Sequence, residues 1–217
     1  MTGPAAPPTT QVTTGTASAE GNSRLTAVNG MILLALLAVE GVTVLSVRGM
    51  ITLHIYLGLL LVGPVLLKCA STAYRFTRYY TGARPYVQKG PPHPILRVLG
   101  PLVMASSLAV LGTGIGLIYT GPTHRQPLLT LHQASFIIWV AAMSIHVLGH
   151  LSEAGSTTWR ELRDPRATPA ARSRRWRILA ITASLIVGVG LATAVLPSAN
   201  AWTSQQREQL GQSHHDH

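Results

Sequence analysis

The sequence contains few charged residues and a single cysteine. Charged side chains make up 11% of the 217 residues, whereas soluble domains carry roughly 25%. Cys69 has no second cysteine with which to form an internal disulfide, a Cys-x-x-Cys pair or a Cys-x-x-Cys-His attachment motif. The composition therefore excludes a disulfide-stabilised scaffold, and it is unlike that of a soluble enzyme.

Other patterns are also absent. The sequence shows no glycine-rich phosphate loop and no Ser–His–Asp arrangement. It leaves no soluble region long enough to bind a nicotinamide or a flavin. These absences favour a protein whose chemistry lies within its hydrophobic segments.

Long hydrophobic runs dominate the chain. A segment of about 20 apolar residues is long enough to cross a hydrocarbon core of roughly 30 Å. Because helices satisfy their own backbone groups in lipid, the runs predict an all-α integral membrane protein. Five such runs occur: Leu25–Val47, Met50–Tyr74, Val98–Tyr119, Leu128–Leu151 and Ile178–Ala199.

The net charge of +10 is concentrated in alternate loops. This placement is the positive-inside pattern of a multi-pass membrane protein, so no nucleic-acid partner is predicted. We expect a plasma (inner) membrane protein with a cytoplasmic N-terminus and an extracytoplasmic C-terminus. The loop after span two carries Arg75, Arg78, Arg84, Lys89 and Arg97. The loop after span four carries Arg160, Arg163, Arg166, Arg172, Arg174, Arg175 and Arg177.

The chain divides into five predicted segments. Residues 1–24 form a disordered cytoplasmic tail, and residues 25–151 form a four-helix transmembrane bundle. A basic cytoplasmic loop, 152–177, leads to the fifth transmembrane helix, 178–199, and a His-rich extracytoplasmic tail, 200–217. The short connections "VRGM" and "TGPTHRQP" predict that spans one and two, and spans three and four, are antiparallel hairpins.

Two histidines lie near the starts of spans two and four. His54 is four residues past Met50, and His132 is four residues past Leu128. Both spans run inward from the outer side, so the two rings are expected at similar depth. Ionisable groups within spans usually mark function, and two facing imidazoles suit the axial positions of a haem iron.

A second level is predicted deeper in the membrane. His146 follows His132 by fourteen residues, which is about 21 Å along a helix and about 40° in azimuth. One face of span four thus presents a histidine near each side of the membrane. This spacing suits two stacked haems, one in each leaflet.

Two histidines separated by thirteen residues on one span of a four-helix core resemble the di-haem transmembrane cytochrome b superfamily. That group includes the membrane cytochrome subunits of hydrogenases and formate dehydrogenases, and the resemblance covers roughly Leu25–Leu151. It implies one or two non-covalent b-type haems and electron transfer between a quinone and a redox partner protein. The chain would then be an electron-transfer subunit of an oxidoreductase.

The sequence departs from this family at the inner level. Span one lacks histidine, and Lys68 stands fourteen residues after His54, opposite His146. Lys68, His150 or His93 could supply the missing ligand, or the position could stay open. For Lys68 we favour an interfacial amine or a propionate partner over iron ligation, and for His150 an interfacial position.

Several further residues, including three glycines, each have two possible roles. Arg48 and Arg125 either pair with haem propionates near the outer surface or are solvated loop residues. Glu40 either relays protons at a quinol site or bonds to a neighbouring helix. Gly112, Gly114 and Gly116 either permit close helix packing or leave space for a flat cofactor.

Two other functions are consistent with the same residues. In a metal-handling protein, His54, His132 and His146 would line an ion path, and the terminal "SHHDH" would collect ions. In a structural subunit, these side chains would only fix helix register. Polar groups collected at two matched depths favour the cytochrome.

Overall fold

The computed structural model describes residues 10–87, 94–120, 125–163 and 171–215, and within them side chains over 21–87, 97–120, 125–148 and 174–198, with those of residues 200 and 204. All elements in these ranges are helices, and no strand occurs in them. The helices are α1 (Thr10–Leu45), α2 (Val47–Tyr80), α3 (Arg84–Val87), α4 (Pro94–Tyr119), α5 (Arg125–Arg163) and α6 (Ala171–His215).

The prediction of five membrane-spanning helices is confirmed by length and composition. The apolar stretches are Gly21–Leu45, Val47–Tyr80, Arg97–Tyr119, Arg125–Leu148 and Arg174–Ser198. Large apolar side chains point outward along them, among them Leu45 and Leu148, which are 88% and 79% exposed. Such extensive exposed apolar surface requires lipid or a protein partner to cover it, and a bilayer satisfies this requirement.

The "VRGM" connection forms a tight corner between α1 and α2. Helix α1 ends at Leu45, and the amides of Gly49 and Met50 donate to the carbonyl of Ser46 at 3.1 and 3.0 Å. Met50 leaves the helical region with φ −124° and ψ 23°. Met50 is therefore the kink between the first turn of α2 and the regular helix that follows, and His54 lies four residues beyond it.

Helices α1, α2, α4 and α5 surround a common interior. Helix α1 packs on α2 and α5, and α4 packs on the same two helices. No close backbone contact joins α2 and α5 within the described ranges. These two helices therefore lie across the interior from each other, and side chains on their inner faces can meet in its centre.

Helix α6 packs against the outside of α2. A Cβ at Gly63 would collide with the Ser184 backbone, and a Cβ at Gly188 would collide with the Leu60 backbone. Pro64 has no N–H to donate to the Leu60 carbonyl, and it is at this carbonyl that Gly188 approaches. Small residues thus bring the two backbones into direct contact, as is common between helices in membranes.

Polar side chains join the first part of the α1 apolar stretch to the C-terminal half of α2. The Asn29 amide donates to the Pro64 carbonyl at 2.9 Å, and Lys68 Nζ donates to the Thr26 carbonyl at 2.7 Å. Further from the corner, the Asn22 amide donates to the Ser71 carbonyl at 3.2 Å. Interhelical bonds of this kind fix the register of the hairpin.

The first and last helices extend beyond the predicted membrane spans. Helix α1 begins at Thr10, within the expected disordered tail 1–24, and α6 continues to His215, within the expected tail 200–217. Once a helix is nucleated by its apolar part, adding residues is inexpensive. Helices α5 and α6 likewise extend into the predicted loop 152–177, up to Arg163 and from Ala171.

Candidate cofactor-binding site

A cavity of about 1040 Å³ occupies the interior between α1, α2, α4 and α5. Its walls are mostly apolar, and it extends from Arg48 and Arg125 at one end to Lys68 and His146 at the other. No residue in the described part of α6 lines it. The volume is slightly above the roughly 300–1,000 Å³ of small-molecule pockets, so the bundle has space for a large ligand.

His54 lies in this cavity and is held by two residues of α1. Its Nδ1 is 2.7 Å from Oε1 of Glu40 and 3.3 Å from Oγ1 of Thr43. The Glu40 side chain is 12% exposed, and Thr43 is buried, with 1% of its surface exposed. Because a carboxylate only accepts hydrogen bonds, the proton of the His54 ring is expected on Nδ1.

His132 enters the cavity from α5 and is held by α4. Its Nδ1 is 3.1 Å from the Val110 carbonyl and 3.0 Å from Oγ1 of Thr113. The ring reaches this carbonyl because Gly114 has no side chain: a Cβ there would be 3.2 Å from Cε1 of His132. A carbonyl also only accepts, so this ring carries its proton on Nδ1 as well.

Both rings therefore use Nδ1 for the hydrogen bond that holds them. In each, Nδ1 is engaged by an acceptor on a neighbouring helix, which leaves the Nε2 lone pair available for a ligand. Metal-ligating histidines nearly always donate their other ring N–H to a carboxylate or a backbone carbonyl. Glu40 and Val110 supply one of each.

The separation of the rings also fits a single metal between them. Their centroids are 6.4 Å apart, with an interplanar angle of 75°. Two metal–imidazole bonds of roughly 2.0 Å each, on opposite sides of one ion, place ring centroids about 6 Å apart. The pair thus has the spacing of two axial ligands of one ion.

The protein provides few other donors to a metal. In the part of the chain that the structure describes, no group of three or more His, Cys, Asp or Glu side chains could hold an ion. Zinc sites use three or four protein ligands, whereas a haem macrocycle itself supplies four nitrogens and needs only axial ligands. The donor set fits haem better than it fits a bare transition metal.

The end of the cavity farthest from Arg48 and Arg125 has a different chemistry. His146 and Lys68 both line it, and the Lys68 amine is bonded to the Thr26 carbonyl of α1. Trp139 lies two turns from both His132 and His146 on α5, and its indole donates to Ser107 at 2.9 Å. His54 and His132, the other histidines whose side chains are described, lie together near the opposite end of the cavity.

The remaining candidates are partly within the described ranges. Arg48 and Arg125 line the cavity at the ends of α2 and α5 nearest His54 and His132. The side chain of His150 and the residue His93 lie outside the description, as do the side chains of the terminal "SHHDH".

Sequence reasoning missed several supporting residues. Thr43, Thr113 and Val110 were not candidates, because hydroxyl and backbone groups are common in spans and their partners lie on other helices. Of the three glycines of "GTGIG", Gly114 faces His132 and Gly116 faces Leu128, whereas Gly112 has nothing within 4 Å of a Cβ. The open choice between packing and cofactor space is thus decided separately for each glycine.

Comparisons with protein-family models, curated proteins and solved structures gave no match to this chain.

Proposed function

We propose that this chain is a membrane b-type cytochrome that carries electrons across the bilayer, with His54 and His132 as the axial ligands of a haem in the outer half of the cavity. The observation that carries the proposal is the histidine pair. Two imidazoles from opposite helices meet at 6.4 Å in an apolar cavity, each with Nδ1 engaged by an acceptor.

The energetics support a ligand at this level. Hydrogen bonds between helices in membranes contribute only about 0.6–2 kcal/mol, which is little compensation for placing two imidazoles and a carboxylate, each largely buried, inside an apolar bundle. Ionisable groups at such positions are usually functional. A metal bound between the two rings would account for the positions of both His54 and His132.

The protein's own residues would hold and shield the cofactor. Bound haem supplies one-electron oxidation and reduction. Glu40 and Val110 orient the ligand rings, and Gly114 leaves room for the ring of His132. Arg48 and Arg125 line the same end of the cavity and suit the two propionates.

Transfer across the whole membrane requires a second redox group at the inner level. Either a second haem with His146 as a ligand or a lipid-soluble quinone would meet this need, and electrons would leave to or arrive from a partner protein on a soluble face. The bond between Lys68 and Thr26 favours a role for Lys68 other than iron ligation.

The orientation belongs to the proposal as well. The basic residues of the two longer connections indicate that these face the cytoplasm, so His54 and His132 would lie nearer the outer surface. Reporter fusions after Arg78 and at the C-terminus test this topology: cytoplasmic activity is expected for the first and extracytoplasmic activity for the second.

The cofactor is tested by purifying the protein from a host supplied with haem. We expect a Soret band, a pyridine haemochrome of the b type and one or two haems per chain. His54→Ala and His132→Ala should each abolish the outer haem. A wild-type protein without a Soret band would overturn the proposal.

The other functions would give different results in the same preparation. Bound zinc or copper without haem would indicate a metal-handling protein. Alanine variants that alter stability without removing any cofactor would indicate a structural subunit.

A further inference from the structure

Glu40 is the one acidic side chain among the described residues that line the cavity. Both of its oxygens are engaged: Oε1 is 2.7 Å from Nδ1 of His54, and Oε2 is 3.0 Å from Oγ1 of Thr43. A virtual Cβ on Gly58 would be 4.0 Å from Oε1, so α2 leaves space for the carboxylate. Removing a carboxylate from water is costly unless it is well paired, and the bonds from His54 and Thr43 supply that pairing.

The two histidines differ in the charge of their partners. His54 faces a carboxylate, whereas His132 faces the neutral Val110 carbonyl and the Thr113 hydroxyl, at 3.1 and 3.0 Å. The pair is thus asymmetric although the two rings come from matching positions on their helices. Any group bound between them would have one strongly polarised ligand and one weakly polarised ligand.

This asymmetry has an electronic consequence. A carboxylate that accepts the N–H of a ligating imidazole makes that ligand more basic, and hydrogen bonding near the iron is one of the protein's means of setting its reduction potential. A more basic ligand, with a negative charge behind it, favours the ferric form over the ferrous form.

We infer that Glu40 is a positioning residue that lowers the midpoint potential of the outer haem through His54. The inference rests on the proposed function, because it requires a haem at this site. Beyond that function, the inference assigns the shift in midpoint potential to Glu40 and gives its direction. Thr43 is expected to hold the carboxylate in place without contributing charge.

Redox titration of purified Glu40→Gln tests the inference. Glutamine keeps the shape of the side chain but removes its charge. We expect haem to remain bound and its preference for the ferric state to fall about tenfold, which corresponds to a rise in midpoint potential of about 59 mV for one electron. Thr43→Val is the matched control and should shift the potential in the same direction by less.

If Glu40→Gln loses its haem, Glu40→Asp provides the test instead. In Glu40→Asp the shorter side chain withdraws the carboxylate from Nδ1, so the potential of the bound haem should again rise. An unchanged potential in haem-loaded variants would overturn the inference and leave the cytochrome proposal standing. Wild-type protein without haem would instead overturn the cytochrome proposal and this inference with it.

Discussion

Gly114 of α4 lies directly against the ring of His132 on α5. A Cβ at position 114 would be 3.2 Å from Cε1 and 3.6 Å from Nδ1 of the ring. The first distance is tighter than ordinary van der Waals contact, so the imidazole has to shift by a few tenths of an ångström to make room for a methyl group there. The position of His132, and its bond to Val110, therefore depend on the absence of a side chain at residue 114.

This contact predicts that Gly114→Ala weakens haem binding. The added methyl group pushes the ring away from the Val110 carbonyl, and loss of such supporting bonds typically costs 10–100-fold in metal affinity. We expect about a tenfold weaker retention of the outer haem, measured as the Soret absorbance that survives titration with a competing haem-binding protein.

Gly112→Ala provides the matched control on the same helix. Nothing lies within 4 Å of a Cβ at position 112, so this variant should retain haem as the wild type does. Equal haem loss in both variants would show that helix α4 is simply intolerant of alanine, and the role given to Gly114 would then be wrong.

His146→Ala is expected to give a partial phenotype. Because the rings of His54 and His132 lie together at the other end of the cavity, this variant should keep one haem per chain, quantified by pyridine haemochrome against protein concentration. If the wild type binds two haems, the variant should lose one of them. Complete loss of haem from His146→Ala would contradict the assignment of the outer site to His54 and His132.

Lys68 is expected to stabilise the hairpin of α1 and α2. Its amine donates to the Thr26 carbonyl at 2.7 Å, and a Cβ on Gly30 would be 3.0 Å from Nζ. Lys68→Met should leave the haem count unchanged and reduce the free energy of unfolding by about 0.6–2 kcal/mol, measured by unfolding in mixed micelles. A changed haem count or low-spin spectrum would show instead that the amine ligates iron.

The contact between α2 and α6 predicts a purely structural effect. A side chain at Gly188 would collide with the Leu60 backbone, so Gly188→Leu should detach α6 or lower the thermal midpoint. The haem spectrum should persist, because no described residue of α6 lines the cavity. Gly190→Leu is the control, since nothing lies within 4 Å of a Cβ at that position. Loss of haem from the Gly188 variant alone would show that α6 supports the cavity.

The sequence by itself determined the class of the protein. Apolar segments long enough to cross a bilayer can only be helices there, and hydrophobicity is a property of each segment that can be read without knowing its neighbours. The placement of His54 and His132 at matched positions was also readable, because helical rise converts residue number into depth. Helix α1 extends back to Thr10, into the segment for which the sequence predicts a disordered tail.

Only the tertiary structure decided which groups meet across helices. Glu40 was one of several intramembrane polar residues in the sequence, and its bond to His54 depends on the corner at Ser46–Met50 that returns α2 along α1. The register between α4 and α5 brings Val110, Thr113 and Gly114 into contact with His132. Depth along one helix follows from local geometry, whereas azimuth and register between helices depend on packing of the whole chain.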